Sequence, residues 1–391
     1  MTTAPDKPLR LFIVTGEPSG DQLAARLLER LRPMLGSREL VLGGVGGQAL
    51  ARQGLTSLFP QSDIAVMGVA AVVGRLRLLL RRISETAQAA QAFKPDLLLT
   101  VDSPDFCLRV TKRLRRLSPH VPIVHWVCPS VWAWRPARAR RMAPHVDHVL
   151  CLLPFEPEAL QLLNGPAGTY IGHPLIERLD VLRPQTQDEK AARALGDGAE
   201  ILILPGSRRS EVTRLMEVFG KAAARLSAER PGLRFVLPAV DHVRQLVEIE
   251  LAKWSVPVTV VTGEAAKLAA FRRARAALAA SGTVTLELAL AGIPTVAAYK
   301  VAGWEAAIAR RLITVPSAIL PNLIVGHSFV AEYIQQDCTP QALTGALDAL
   351  IDDGPAREAQ LQGFREVEAR MVGANPSEVA AQVVLQMLQK A

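Results

Sequence analysis

Short aliphatic runs separated by amphipathic stretches set the pattern of the chain. Leu9 to Thr15, Leu97 to Val101, Pro122 to Val127 and Val149 to Leu152 are apolar almost throughout, and Leu40 to Leu42 is a shorter run of the same kind. Unalternated runs of this length fit strands buried on both faces of a parallel sheet. The stretches between them carry apolar residues at helical spacing, the first from about Gln22 to Arg32. Strand, glycine-bearing turn and helix in succession open a doubly wound α/β domain. Between Gly165 and Gln187 the texture changes: Gly, Pro and Thr accumulate and Gly172-His173-Pro174 interrupts the pattern. The inter-domain connection is expected there, giving an N-terminal domain over 1–172 and a C-terminal one over 173–391. The pattern restarts with strands at Ile201 to Leu204, Arg234 to Leu237, Val258 to Val261, Ala276 to Ala279 and Thr295 to Ala298, followed by a helical tail from Pro340 that can cross back. The expected architecture is therefore α/β, with two Rossmann-like doubly wound domains facing each other across a cleft.

Composition agrees and narrows the class. A chain of 391 residues exceeds one ordinary core. With 49% hydrophobic and only 5% aromatic residues it suits buried strands under Ala/Leu-rich helices. A formal charge of +8 favours an anionic partner: a nucleotide, a phosphorylated substrate, an anionic membrane or a nucleic acid. The four cysteines lie far apart in sequence without a CxxC, which reads as free thiols. No apolar signal core precedes the first strand and no run is long enough to span a bilayer, so a cytoplasmic protein at most peripheral to a membrane is expected.

The candidate chemistry lies in the turns after the strands. In Gly16-Glu17-Pro18-Ser19-Gly20-Asp21 the glycines allow close approach to the backbone, but two acids make a poor phosphate cradle. Glu17 can hydrogen-bond sugar hydroxyls, Ser19 stands beside it, and Asp21 suits a helix cap. Gly44-Val45-Gly46-Gly47-Gln48-Ala49 satisfies G-x-G-x-x-A but follows the second strand, not the first, so a glycine turn for close passage is favoured over a dinucleotide site. Leu97 to Val101 runs into Asp102-Ser103-Pro104-Asp105. Asp105 suits a helix cap. Asp102 is left at the carboxyl end of a strand counted as the fourth and expected beside the first, where open sheets bind ligands and a carboxylate can act as general base.

Four further stretches stand out. From Gln61 to Ile83, Val69, Val72, Val73, Leu76, Leu79, Leu80 and Ile83 recur at helical spacing among Arg75, Arg77, Arg81 and Arg82. Two readings are open: a helix on the sheet with solvated arginines, or a basic amphipathic segment in which Val69, Val72, Val73, Leu76 and Arg75 meet a membrane or acyl chains. Trp126, Trp132 and Trp134, with His125 and Ser130, suggest a pocket wall leading into an arginine-rich helix. No RNA-binding signature accompanies them, and nucleic acid is not expected as a partner. In the second half, Pro205-Gly206-Ser207-Arg208-Arg209 and Ser281-Gly282-Thr283 each open a helix, where backbone N–H groups and the Arg208 fork can take phosphate. Glu287 can take two ribose hydroxyls. Neither loop is GxxxxGK[ST], and either alone reads equally well as a helix start. From the residues alone an NAD(P)-linked oxidoreductase and a non-catalytic lipid- or nucleic-acid-binding protein remain alternatives.

Taken together the motifs resemble the lipid-A-disaccharide synthase family of GT-B inverting glycosyltransferases over nearly the whole chain. The likeness is carried by TGEPSGD at Thr15 to Asp21, GVGG at Gly44 to Gly47, VDSPDF at Val101 to Phe106, PSVWAWR at Pro129 to Arg135 and LLPFEP at Leu152 to Pro157. It continues in GHP at Gly172 to Pro174, LPGSR at Leu204 to Arg208, ASGTVTLE at Ala280 to Glu287 and LPN at Leu320 to Asn322. The resemblance implies transfer of 2,3-diacylglucosamine from its UDP donor to 2,3-diacylglucosamine 1-phosphate (lipid X), giving a β-1,6 disaccharide 1-phosphate and UDP at the cytoplasmic face of the inner membrane. It implies Asp102 as base, Arg208, Ser281, Gly282 and Thr283 on the diphosphate, Glu287 and Asn322 on ribose or uracil, and Glu17, Ser19 and Ser130 on the acceptor or sugar side. It implies neither metal nor cofactor, and a homodimer. A UDP-sugar epimerase or a peptidoglycan-type transferase is the alternative within the fold. Trp126, Cys128, His327 and Ser328 stand where the family commonly has Tyr, Ser, Arg and an acid.

Overall fold

The structure is a computed structural model describing residues 7–64, 74–196, 198–303 and 315–389. It divides into two compact units, Met1–His173 with Gly373–Ala391, and Pro174–Val372.

The first unit holds a parallel sheet of β1 (Leu9–Thr15), β2 (Leu40–Val45), β3 (Leu97–Val101), β4 (Ile123–Trp126), β5 (His148–Cys151) and β6 (Ala167–Tyr170), in the order β2-β1-β3-β4-β5-β6. Every residue of β3 is buried, as its unbroken apolar run requires. Alternate residues of β1 serve two cores: Phe12 and Val14 pack on one face, Leu11 and Ile13 on the other. The helices that cover them include α1 (Pro18–Met34), α2 (Gln48–Arg52), α3 (Leu76–Phe93), α4 (Pro104–Leu117), α5 (Ala137–Met142) and α6 (Glu156–Leu162). In α4, Pro104 sits at the first position, where its missing N–H costs nothing. Phe106, Cys107, Val110, Thr111 and Leu114 form its buried face, which follows the helical period.

The second sheet contains β7 (Glu200–Leu204), β8 (Arg234–Ala239), β9 (Val258–Thr262), β10 (Ala274–Ala280), β11 (Thr295–Tyr299) and β12 (Glu332–Ile334), in the order β12-β11-β10-β7-β8-β9. The helices that bear on function here are α7 (Arg209–Glu229), α8 (Glu264–Arg273), α9 (Thr283–Ala291) and α10 (Leu320–Val325). The last helix, α11 (Pro376–Gln389), belongs to the first unit, where Ala380, Ala381 and Val384 join the core that α1 covers.

Three expectations change. The strand ending at Val101 is the third in the chain, not the fourth, although it does lie beside β1. Strands β6 and β12 were not anticipated; neither contains a fully buried residue, so neither has an apolar run to signal it. In the stretch from Gln61 to Ile83, Gln61–Asp63 forms a 3-10 turn in place of helix, and Leu76 to Ile83 lies in α3. Val69, Val72 and Val73 lie outside the described residues. Among the described residues no helix is long and apolar enough to cross a membrane.

Candidate functional site

At the carboxyl edge of the first sheet the loops leaving β1 and β3 are built against each other. Thr15 is in register with Val101, which sets Gly16 beside the turn at Asp102. A Cβ on Gly16 would lie 2.1 Å from Ser103 Oγ, so only glycine fits there. Asp102 and Ser103 have φ of 55° and 44°, two successive non-glycine residues in the left-handed region, at a cost of order 1 kcal/mol or more each. The turn is held by the Asp102 N–H donating to Trp126 O at 2.9 Å and the Ser103 N–H donating to Asp102 Oδ1 at 2.8 Å. No other hydrogen bond to the Asp102 carboxylate occurs among the described residues, which leaves Oδ2 able to accept a proton.

Glu17 stands at the N-cap position of α1 but its side chain makes no cap bond. Burial, and then the negative charge of Asp102, raise its pKa above the ordinary carboxylate range. Gln61 pins the loop, its Nε2 donating to Thr15 Oγ1 at 2.9 Å, Thr15 O at 3.2 Å and Glu17 O at 3.1 Å. Ser19 is exposed on the first turn of α1, and Ser130 is exposed, its carbonyl accepting from Ala133 and Trp134 N–H.

Asp21 does not cap its own helix. It caps α2, accepting from the N–H groups of Gly47 at 2.7 Å, Ala49 at 2.8 Å and Leu50 at 3.3 Å. Its carboxylate thus occupies the anion position that a dinucleotide pyrophosphate would need. A Cβ on Gly44 would fall 1.8 Å from Ile13 O, so the G-x-G-x-x-A glycines serve close passage of β2 along β1.

The three clustered tryptophans do not form one wall. Trp126 is fully buried in the core, Trp132 Nε1 donates to Glu156 Oε1 at 3.1 Å, and Trp134 is exposed beneath the Arg135 guanidinium, 4.1 Å from its ring centroid. His125 is buried, bonded through Nδ1 to Thr100 Oγ1 at 2.8 Å, and burial holds it neutral with a pKa lowered to about 3. Cys128 and Cys151, distant in sequence, come together at the ends of adjacent strands, and with Glu156 they bring three potential ligand atoms within 4.8 Å. Both Glu156 oxygens are already committed: Oε2 accepts from Leu152 and Leu153 N–H, Oε1 from Trp132. Burial raises the Glu156 pKa to about 7; the hydrogen bond with Cys151, and then burial, push the Cys128 thiol up. The cluster is a buried knot whose carboxylate is already spent on hydrogen bonds.

The second unit gathers Arg208, Ser281, Gly282, Thr283 and Glu287 around one cleft of about 370 Å³, together with Lys267 and Glu211. Its two helix starts differ. Glu211 Oε2 accepts from Ser207 and Arg208 N–H at 3.2 Å each, so the start of α7 is closed by its own carboxylate. At α9 the cap residue is Gly282, and no side chain caps it. The backbone N–H groups there, and the Arg208 fork with its side chain 70% exposed, are what the cleft offers an anion. Both Glu287 oxygens lie 2.9 Å from Lys267 Nζ in a largely buried pair. Lys267, a single lysine in an alanine-rich stretch, gave no sequence signal.

Asn322 is not on the cleft wall. It is 2% exposed and saturated: Nδ2 donates to Val330 O at 3.0 Å and Glu332 Oε1 at 2.9 Å, and Oδ1 accepts from Phe329 N–H at 3.1 Å and Val330 N–H at 3.0 Å. Its amide, named in sequence for ribose or uracil, is committed to these protein partners. Glu332 also accepts from Ser317 Oγ and from Ala318 N–H, and Ala318 O in turn accepts from Ser281 Oγ at 2.7 Å. Asn322 and Glu332 therefore hold the segment that holds Ser281. His327 is exposed beside Phe329, ring centroids 6.0 Å apart.

A family model described as lipid-A-disaccharide synthetase matches residues 11–384. A lipid-A-disaccharide synthase of Rhodopseudomonas palustris (strain HaA2) is 50% identical over 383 residues, 97% of each chain. That of Nitrobacter hamburgensis is 47% identical over 388 residues, 99% of this chain and 97% of its own. Among solved structures, UDP-GlcNAc 2-epimerase from Neisseria meningitidis bound to UDP-GlcNAc is 14% identical with a TM-score of 0.59, covering 98% of this chain and 100% of its own. At that identity the likeness bears on fold alone: two parallel sheets of the GT-B type.

Proposed function

The chain belongs to the lipid-A-disaccharide synthetase family and is a glycosyltransferase, and on that premise we propose how its residues divide the reaction. The donor is UDP-2,3-diacylglucosamine and the acceptor lipid X. The acceptor 6-hydroxyl attacks the donor's anomeric carbon, the bond from that carbon to the diphosphate oxygen breaks, and UDP leaves as the β-1,6 link forms with inversion. Asp102 takes the hydroxyl proton as the bond forms. Glu17, beside that base, hydrogen-bonds a hydroxyl of the acceptor sugar. Ser19 and Ser130 are exposed hydroxyls for the same sugar. The leaving diphosphate is met by the α9 start at Ser281, Gly282 and Thr283 and by Arg208, so fixed dipoles and a guanidinium supply the charge stabilisation without need of a metal. Glu287, oriented by Lys267, takes the ribose.

The observation that carries this reading is the strained Asp102–Ser103 turn, which holds one carboxylate oxygen by its own backbone and leaves the other to accept a proton. Incubation of the purified protein with both substrates in detergent is the test. Formation of disaccharide 1-phosphate with one UDP per linkage is expected; absence of both products sinks the proposal.

We also propose that the protein works on the cytoplasmic surface of the inner membrane. Support comes from α3, where Leu76 and Leu80 are 42% and 51% exposed alongside exposed Arg75, Arg77 and Arg81. A homodimer is the assembly the family resemblance favours, and light scattering decides it.

A further inference from the structure

The arginine-rich stretch after Trp134 forms half of a second cleft in the first unit. This groove, of about 470 Å³, lies between the start of α4 and helix α5. Arg109 lines it from α4, and Arg135, Arg138 and Arg141 line it from the other side. Asp105 is the one carboxylate on its wall, and its Oδ1 is already 2.7 Å from Arg138 Nη2. Arg109 and Arg141 are exposed and pair with no acid among the described residues. Four arginines line one concave surface whose single carboxylate is already paired with Arg138, an excess of positive charge that favours an anion, and planar N–H forks suit phosphate oxygens two at a time.

The groove starts at Pro104, two residues beyond Asp102. Consecutive Cα atoms are 3.8 Å apart, so the two Cα atoms are no more than about 7.6 Å apart. In a hexose 1-phosphate the phosphate on C1 and the 6-hydroxyl on C6 are carried by the two carbons that flank the ring oxygen. A base that meets the hydroxyl therefore needs a phosphate site within about the width of one sugar, and Pro104 on the groove wall lies within that reach of Asp102.

We propose that the groove between α4 and α5 binds the phosphate monoester of the acceptor, with Arg109 and Arg141 as its principal ligands, and so selects a phosphorylated acceptor and orients its 6-hydroxyl. The inference rests on the reaction proposed above and deepens it. Anionic lipid headgroups offer similar phosphate chemistry, so the test separates the two sources.

Wild type and R109A/R141A are assayed in neutral detergent micelles at saturating donor, with lipid X and with its 1-dephosphorylated counterpart. Both side chains are at the surface, so the double variant keeps its core. Expected is a fall in kcat/KM for lipid X of about 150-fold or more, as for the loss of two charge-assisted contacts, with kcat/KM for the dephosphorylated acceptor and KM for donor unchanged. R109K/R141K, which restores charge without the forks, should recover only part. An equal loss on both acceptors, or none, overturns the inference. So does full retention of discrimination with weakened sedimentation on phosphatidylglycerol vesicles, which assigns the arginines to headgroups. If wild type makes disaccharide from neither acceptor, the reaction itself is the part that fails.

Discussion

Asp102 illustrates what one residue's sequence context tells and what it conceals. An apolar run ending in an acid was enough to place it at the ligand edge of a parallel sheet. The backbone strain at Asp102 and Ser103, and its cause in Gly16, are invisible in sequence because they depend on the register between β1 and β3. Gly16→Ala is expected to destabilise by about 2 kcal/mol, the range for forcing extra volume into a packed site, and to lower kcat by displacing the Asp102 turn; denaturant midpoints and turnover measured together check it. Glu156 carries a pH effect. Its pKa is 4.5 for the free group and about 7 in the native state, so between those values the native state holds more protons than the unfolded one. Stability then falls as pH rises through that window, by up to about 3 kcal/mol. Glu156→Gln lacks this slope, so the variant gains on wild type in Tm between pH 5 and pH 8. A gap that stays constant with pH contradicts the assignment.

Among the elements, helix starts show why motif reading stops short. Both phosphate-type loops look alike in sequence, yet Glu211 closes the start of α7 and nothing closes that of α9. The difference lies in where one carboxylate folds. Asn322 shows the same limit: the LPN motif pointed to the nucleotide, whereas the side chain is spent on Val330, Phe329 and Glu332. Glu332, on a strand too short to signal itself, links that network to Ser281 through Ala318. Asn322→Ala is expected to raise the donor KM about tenfold while leaving the acceptor KM unchanged, since buried amide bonds of this kind are worth about 1 kcal/mol each. Arg208→Ala, at a side chain that holds no buried structure, is expected to lower kcat about 100-fold, as for loss of one group that meets developing negative charge. Steady-state kinetics with each substrate varied in turn distinguishes the two.

For the molecule as a whole, the restart of the strand–helix pattern after His173 made two doubly wound units legible. The return of α11 to the first unit was only a possibility in the helical tail, because its apolar face shows that it packs and not where. The reaction class and the candidate roles came from many collinear motifs, while the partners that hold each side chain came from the fold. Binding to anionic vesicles belongs to this scale: a net charge of +8 with arginines around exposed Leu76 and Leu80 should give sedimentation that weakens about tenfold from 50 to 200 mM salt, and more sharply in Leu76→Ser/Leu80→Ser. The central claim is that Asp102 is the base for one sugar hydroxyl, and its most direct measurement is disaccharide formation by Asp102→Asn beside equilibrium binding of both substrates. Turnover reduced by about 10²–10⁴-fold with both affinities retained is the predicted result; turnover close to wild type, or a loss fully explained by weaker binding, contradicts it.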